Sequence, residues 1–229
     1  MSQLVFDSKP KLLQKLLDFS RFGYDRFTSG TVTPEKLDHL VKKMTLNYHV
    51  ALDKHRRAYR KRTGLGNAVL VLYHHQTDDL VFWWLLVSPG DHPANVAERL
   101  QSTDELTVFG FKLTSETRRG KDQPVATWSM TSDAYQIWRN SIIDAVRSRE
   151  VFRMVGVLAE LYKLPGFSGI RRRIGQLATL YRSEVKRHGL SSIAPTTPAR
   201  LGYVRRLRST GKTVRQVAKR AAAKTHELP

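Results

Sequence analysis

The amino-acid sequence predicts an α+β protein with N-terminal helices, a four-stranded antiparallel sheet interrupted by a helix, C-terminal helices and a basic tail. Two observations lead to this fold class. Apolar residues recur at helical spacing near both ends of the chain, whereas short runs rich in Val, Leu, Phe and Trp occupy the middle, separated by turn residues. With 229 residues, 41% of them hydrophobic, the chain can bury a sizeable core.

The chain divides into four predicted regions. They are an N-terminal helical region (1–63), an α+β core (64–150), a helical region with a basic helix (151–189), and a linker with a basic tail (190–229). In the first region, five apolar residues at helical spacing predict an amphipathic helix over residues 10–24. They are Leu12, Leu13, Leu16, Leu17 and Phe19.

A second helical stretch is predicted to begin near Thr33. This residue is a candidate N-cap, with Pro34 in the first turn of a helix that runs towards Lys43, and a further helical stretch is predicted to Arg62. Tyr59 shares a face of this stretch with Tyr48 and Leu52, so we expect Tyr59 to lie in the core.

Two strand pairs make up the predicted sheet. Ala68–His75 and residues 80–88 are joined by the turn residues 76–79, which is typical of a hairpin. The second pair comprises residues 106–114 and Pro124–Met130. The second strand of the hairpin contains Phe-Trp-Trp in a nearly continuous apolar run, which predicts burial on both faces rather than an exposed platform for stacking bases.

Helices account for the other predicted elements. One begins after the candidate cap Thr131 and extends to about Arg149. The remaining predicted helices span residues 93–100, 151–164, 169–188 and 213–224. A linker rich in Ser, Thr and Pro, residues 189–198, precedes the basic tail.

The charge of the chain is strongly positive and unevenly distributed. The formal net charge is +19 and the isoelectric point about 10.5, far beyond what solubility requires. Residues 166–229 hold 15 Lys and Arg against 2 Asp and Glu, so about two thirds of the excess lies there. The expected partner is therefore DNA or RNA, in a nucleoprotein complex that can include other proteins.

Four groups of cations are the candidate contacts to phosphate. They are Lys54, Arg56, Arg57, Arg60, Lys61 and Arg62; Arg118, Arg119 and Lys121 in a predicted loop; Arg171, Arg172, Arg173, Arg182, Lys186 and Arg187 on the basic helix; and Arg205, Arg206 and Arg208 in the tail. Guanidinium groups suit this role because their fork of donors matches phosphate oxygens.

The basic helix is predicted to have two different faces. Its apolar stripe comprises Ile170, Ile174, Leu177, Tyr181 and Val185. Its cations lie mainly on the opposite side, and Glu184 is the only acid on the helix. A solvated helix normally mixes charges of both signs, so this one-sided charge favours phosphate contact over simple solvation.

No motif in the sequence identifies a metal site, a cofactor or a catalytic centre. The absence of cysteine excludes disulfides, cysteine-based zinc sites and cysteine nucleophiles. His74 and His75 are adjacent on a predicted strand and point to opposite faces, so they cannot chelate one ion together. Residues 211–213, Gly-Lys-Thr, resemble the end of a phosphate-binding loop, but Arg206 occupies the place of its first glycine. We predict no metal and no cofactor.

Four segments carry a resemblance to known proteins. They are residues 84–93 (WLLVSPGDHP), 128–131 (WSMT), 164–171 (LPGFSGIR) and 201–206 (LGYVRR). These segments resemble parts of uncharacterised basic proteins encoded on proteobacterial plasmids and integrative elements. The resemblance implies a role in DNA or RNA transactions of a mobile element, and it supplies no catalytic residues.

We therefore expect a nucleic-acid-binding protein of a mobile genetic element that contacts the phosphate backbone, in replication, transfer or an RNA-guided complex. One alternative is a metal-independent endoribonuclease of CRISPR-RNA-processing type, because such activity requires little sequence signature. Another is a scaffold that binds acidic proteins.

The N-terminal residues lack a signal pattern and the longest apolar run, Leu80–Val87, is too short to span a bilayer. We expect a cytoplasmic protein without membrane contact.

Overall fold

A computed structural model describes residues 3–75, 77–117, 122–198, 201–203, 206–208 and 210–226, with side chains to residue 221. The chain forms two compact units. The first unit comprises residues 1–106 and 206–229, and the second comprises residues 107–205. Each unit contains helices and strands, so the protein is α+β, as predicted. None of the described helices is long and apolar enough to cross a membrane.

A six-stranded sheet forms the centre of the first unit. Its strands are β1 (Leu4–Phe6), β2 (Arg26–Val32), β3 (Ala68–His75), β4 (Leu80–Val87), β5 (Gln101–Ser102) and β9 (Lys212–Thr213). Their order is β5-β2-β4-β3-β1-β9, and β1 pairs with β3 in parallel while the other neighbours are antiparallel. The predicted hairpin is confirmed as β3 and β4. The predicted single four-stranded antiparallel sheet is wrong, because the second strand pair belongs to a separate sheet.

Helices cover both faces of this sheet. The helices of this unit are α1 (Lys9–Arg21), α2 (Leu37–Tyr48), α3 (Lys54–Arg62), α4 (Ala94–Ala97) and α8 (Val214–His226). Leu70 and Leu72 of β3 pack in one cluster with the buried faces of α2 and α8. Alternate strand residues point to opposite faces, so Val69 and Val71 lie on the other face, where α1 contacts β3. Burial on both faces explains the continuous apolar run of β3.

The second strand of the hairpin is buried in its C-terminal half. Leu85, Leu86 and Val87 have no exposed surface and Trp84 is 5% exposed. Trp83 is partly buried and packs against the cluster of α2 and α8. Burial on both faces, as predicted, therefore holds for the second half of β4.

The helical stretch predicted to reach Arg62 is interrupted. Helix α2 ends at Tyr48, His49 adopts a left-handed conformation with φ 52°, and Asp53 caps a new helix, α3. The Asp53 carboxylate accepts hydrogen bonds from the backbone N–H groups of His55 and Arg56 at 2.8 and 2.9 Å. These bonds, chiefly that from Arg56, lower the pKa of Asp53. Because the helix is broken here, Tyr59 is 59% exposed, and its predicted place in the core is wrong.

The second unit has a three-stranded sheet packed against helices. Its strands are β6 (Thr107–Val108), β7 (Phe111–Thr117) and β8 (Pro124–Met130), and its helices are α5 (Ser132–Arg147), α6 (Val151–Tyr162) and α7 (Ser168–Arg187). Strand β7 begins later than the predicted residue 106, because Phe109 and Gly110 turn the chain with φ 49° and 81°. Thr131 caps α5 as predicted, accepting a hydrogen bond from Ala134 N–H at 3.2 Å.

Helix α7 packs on β8 and α5 through the predicted apolar stripe. All five stripe residues are buried: Ile170, Ile174, Leu177, Tyr181 and Val185. Gly169 makes the close approach to β8 possible, since a Cβ atom there would lie 2.6 Å from the carbonyl oxygen of Trp128. The sequence therefore predicted both the position and the buried face of this helix correctly.

Candidate nucleic-acid interface

Helix α3 forms a cationic ridge on the first unit. It carries six cations in nine residues and buries none of them. At 100° per residue, Lys54, Arg57 and Lys61 fall on one side of the helix. His55, Arg56, Tyr59 and Arg62 fall on the other. The ridge therefore presents positive charge to both of its flanks.

Polar bonds to the main chain, rather than an apolar face, hold the α3 ridge in place. The guanidinium of Arg60 donates to the Gly66 carbonyl through Nε and one terminal nitrogen, at 3.1 and 2.9 Å. The Asn67 amide donates to the carbonyl of Arg57 at 3.0 Å. Arg60, a candidate phosphate contact, thus has a structural role at the end of the ridge.

Two loops beneath the C-terminal end of α3 pack backbone against backbone. Gly66 N–H donates to the Asp91 carbonyl at 2.8 Å, and Asp91 N–H donates to the Gly64 carbonyl at 3.3 Å. Gly90 adopts φ 110°, and a Cβ atom there would lie 2.5 Å from the Gly64 carbonyl oxygen. Only glycine at position 90 allows this approach, which packs the two loops against each other next to the C-terminal end of α3.

Most cations of the α3 ridge are free of acidic partners. In the described part of the chain, no carboxylate forms an ion pair with Lys54, Lys61 or Arg62. Arg56 lies 3.8 Å from the capping Asp53, but its side chain remains 75% exposed. Arg57 is partly buried and lies near the phenol of Tyr24. The ridge is thus a concentrated and largely uncompensated positive charge.

A cleft of about 840 Å³ separates α3 from the end of α1, and we call it the α1–α3 cleft. Its charged and aromatic lining consists of Lys15, Phe19, Phe22, Tyr24, Lys54, Arg57 and Lys61. Residues 88–90 and Asn67 also line it, and no acidic side chain does so in the part of the chain that the structure describes. Phe22 is 65% exposed, and Lys15 Nζ lies 4.7 Å from the centroid of the Phe19 ring. The sequence analysis did not identify this combination of aromatic rings and cations.

The electrostatics of the α1–α3 cleft are perturbed by burial and by like charges. Burial lowers the pKa of Lys15, Asp18 opposes this, and the cations Arg57 and Arg206 lower the pKa further. Burial also raises the pKa of Tyr24, against the effect of Arg57. Cations close enough to disfavour each other's charge gain from an anionic ligand between them.

A second concavity, of about 590 Å³, lies on the other flank of the ridge. We call it the histidine pocket. Its lining residues are His49, Leu52, His55, Arg56, Tyr59, Arg60 and Arg62. It combines two imidazoles, three guanidinium groups and a phenol, with no carboxylate in its lining.

The cations predicted on α7 are more engaged than those of α3. Arg172 forms an ion pair with Glu116, and Arg187 donates to Glu184 at 2.8 Å. The Arg171 guanidinium lies 3.5 Å from the centroid of the Tyr203 ring. Arg173 donates to Gln176 at 3.2 Å and lies 5.1 Å from the centroid of the Tyr135 ring.

The C-terminal half of α7 leaves two cations without acidic partners. Arg182 donates to the hydroxyls of Thr197 and Thr179, at 2.9 and 3.1 Å. Lys186 is exposed, and nothing in the described part of the chain pairs with it. The available charge on α7 is therefore centred on Arg182 and Lys186.

Four of the other candidate contacts lie outside the described residues, namely Arg118, Arg119, Lys121 and Arg205. Arg206 lies 4.0 Å from Asp18, with 82% of its side chain exposed, and Arg208 is exposed. Leu207 N–H donates to the Gln14 side chain at 2.9 Å, so residues 206–208 lie along α1.

The motifs rejected from the sequence have structural roles. Lys212 and Thr213 form β9, and Thr213 exchanges reciprocal hydrogen bonds with Gln216 as a capping box that begins α8. His74 lies 3.0 Å from Asp79, whereas His75 lies 3.0 Å from Asp78. The two imidazoles thus lie beside different carboxylates.

Comparisons with protein-family models, with curated proteins and with solved structures yield no match to this chain. The fold and the site therefore define the protein only by class. It is an α+β protein of two compact units, with a largely uncompensated cationic ridge on the first unit and a partly compensated cationic helix in the second.

Proposed function

We propose that this protein binds nucleic acid through the sugar–phosphate backbone, with the α3 ridge as its main contact. The observation that carries this proposal is that Lys54, Lys61 and Arg62 are exposed on a helix without buried residues, and no acid among the described residues pairs with them. Such charge is costly in isolation, and a polyanion neutralises it with release of counterions.

Arg182 and Lys186 of α7 are further proposed contacts. They lie on the side of the helix opposite its buried stripe, and their side chains are exposed. The resemblance to basic proteins of plasmids and integrative elements suggests replication, transfer or an RNA-guided complex of such an element as the setting of this binding.

The proposed function predicts binding that depends steeply on salt. If six to eight phosphates of duplex DNA are neutralised, the logarithm of the binding constant should fall against the logarithm of salt concentration with a slope of about −5 to −7. Fluorescence anisotropy of a labelled duplex over a salt series measures this slope. A slope shallower than about −2 would contradict backbone-dominated binding. Failure to bind DNA or RNA at low salt would instead favour a scaffold for acidic proteins.

The histidine pocket supports a second candidate function, metal-independent RNA cleavage. His49 and His55 line one concavity with three arginines that suit a phosphodiester. One imidazole would accept the 2′-hydroxyl proton while the 2′-oxygen attacks phosphorus. The other would protonate the leaving 5′-oxygen as the P–O5′ bond breaks. The products are a 2′,3′-cyclic phosphate and a free 5′-hydroxyl.

This second candidate predicts specific cleavage of structured RNA in the presence of EDTA. His55→Ala should slow cleavage by about a hundredfold or more, the usual contribution of a general acid or base. His39→Ala is the matched control, since His39 is an exposed histidine of the same unit outside the pocket. Gel analysis of end-labelled RNA gives the rate. Intact RNA with the unmodified protein, or equal rates in the two variants, would rule this candidate out.

A further inference from the structure

We propose that the α1–α3 cleft binds a single-stranded segment of nucleic acid, with an unpaired base stacked on Phe22 and phosphates on the cations of α3. This inference rests on the proposed function and specifies its ligand. It assigns a binding role to Phe22 and Lys15 in addition to the basic clusters of the sequence.

The α1–α3 cleft combines an exposed aromatic ring with cations. Phe22 is 65% exposed although it is a large apolar residue, and it lines the cleft together with Lys54, Arg57 and Lys61. Sites for single strands combine these two features, a stacking aromatic ring and a positively charged groove. An acidic peptide would use the cations but has no general need for the ring.

The exposed ring of Phe22 favours a single-stranded ligand over a duplex. In a duplex each base is covered on both faces by its neighbours, so only its edges are accessible in the grooves. Stacking on Phe22 therefore requires an unpaired or extruded base. The volume of the cleft, about 840 Å³, lies in the range of protein pockets that bind small molecules, so the cleft has room for a base.

The cations of the cleft are arranged in a row along α3. Lys54, Arg57 and Lys61 lie on one side of α3, over a rise of about 10 Å from first to last. They form a row rather than a point, as a strand running along the helix requires. Arg57 is partly buried, so its side chain has less conformational freedom to lose on phosphate binding than a fully exposed one.

The cleft carries no compensating charge of its own. None of the described residues that line the cleft is acidic, and Asp18, the acid near Lys15, lies 4.0 Å from Arg206. Charge complementarity therefore favours a polyanion, and the exposed ring favours one with accessible bases.

The test compares single-stranded and duplex oligonucleotides of equal length, DNA and RNA, by fluorescence anisotropy. Phe22→Ala should weaken single-strand binding about fivefold to a hundredfold, the range for loss of one stacked base, and leave duplex binding unchanged. Phe22→Trp should retain single-strand binding. Phe152→Ala, which truncates a phenylalanine of the second unit that is 71% exposed, should change neither.

A second test removes two positive charges from the cleft. Lys54→Gln with Lys61→Gln should reduce the salt slope of single-strand binding by about 1.4, since each phosphate contact contributes about 0.7. Lys36→Gln with Lys43→Gln removes the same charge from exposed positions of the first unit outside the cleft and should change the slope less.

The possible results separate this inference from the proposed function. Duplex binding without single-strand binding, or single-strand binding that Phe22→Ala leaves intact, would overturn the cleft assignment alone. Equal losses for both strand states in folded Phe22→Ala would also overturn it. Failure of the unmodified protein to bind any of the oligonucleotides would overturn both.

Discussion

Replacing the four outward cations of α3 with glutamine is expected to weaken binding to duplex DNA about a hundredfold to a thousandfold near physiological salt. The variant combines Lys54→Gln, Arg56→Gln, Lys61→Gln and Arg62→Gln. Each lost phosphate contact lowers the magnitude of the salt slope by about 0.9, so the slope should fall by about 3.6 in total. Anisotropy titrations at several salt concentrations give both quantities.

The helix should survive these substitutions. Glutamine is a good helix former, and the capping bonds from Asp53 involve backbone N–H groups that remain. Arg57 and Arg60 are kept because both are partly buried and Arg60 donates to the Gly66 carbonyl. Far-ultraviolet circular dichroism should therefore match that of the unmodified protein.

The control removes four other cations of the first unit, through Lys36→Gln, Lys42→Gln, Lys43→Gln and Arg99→Gln. All four are exposed, and the control lowers the net charge by the same amount. It should reduce affinity far less, because delocalised attraction is screened within about 10 Å at moderate salt. Equal losses in the two variants would show that binding responds to net charge and not to the α3 ridge.

The sequence identified the α3 ridge because a charge run is visible without a fold. Six cations in nine residues stand out in any conformation. The break before the ridge was also encoded locally, in Asp53 as a cap, but helical periodicity across residues 34–62 obscured it. Tyr59 was consequently assigned to the core, whereas only the interruption after Tyr48 shows that it lies outside.

The α1–α3 cleft could not be predicted from the sequence, because it depends on tertiary packing. Phe22 and Lys54 are far apart in the chain, and only the folded structure places both in the lining of one cleft. The local signal at Phe22 is weak: a phenylalanine at the end of α1, followed by Gly23 with φ 90°.

The engaged cations of α7 show the same limit. The predicted cationic side is real, but Glu116 reaches Arg172 from β7, and Tyr203 contacts Arg171 from the segment after the linker. Counting acids within one helix cannot reveal partners supplied by a strand. The lack of acids within each helix indicates its positive charge. On α7 it does not show how many of the cations are already paired and therefore less able to contact phosphate.

The sheet was underpredicted for a different reason. Strand β1 is three residues long and β9 only two, too short for a periodic signal. Strand β2, with sequence RFTSGTV, is mostly polar and has Phe27 as its one buried residue. Its identity as a strand comes from pairing with β4 along its whole length, which is a property of the fold.

Gly90→Ala is expected to destabilise the first unit by about 2–5 kcal/mol. Two costs combine, namely a φ of 110° that side chains disfavour and a Cβ atom placed 2.5 Å from the Gly64 carbonyl oxygen. Neither loop can retreat freely, because Gly66 and Asp91 hydrogen-bond across the same contact at 2.8 Å. Urea denaturation followed by circular dichroism measures the free energy of unfolding. Since the loop at Gly64 follows α3 directly, the variant should also bind nucleic acid more weakly.

Gly64→Ala separates the two costs. Gly64 also has a positive φ, of 77°, but a Cβ atom there meets nothing within 4 Å. This variant should therefore lose only about 1–2 kcal/mol, from backbone conformation alone. The difference between the variants reports the packing of the two loops under the α3 ridge. If Gly90→Ala costs no more than Gly64→Ala, the backbones do not touch there, and the α1–α3 cleft lacks the rigid floor that ordered binding of a strand requires.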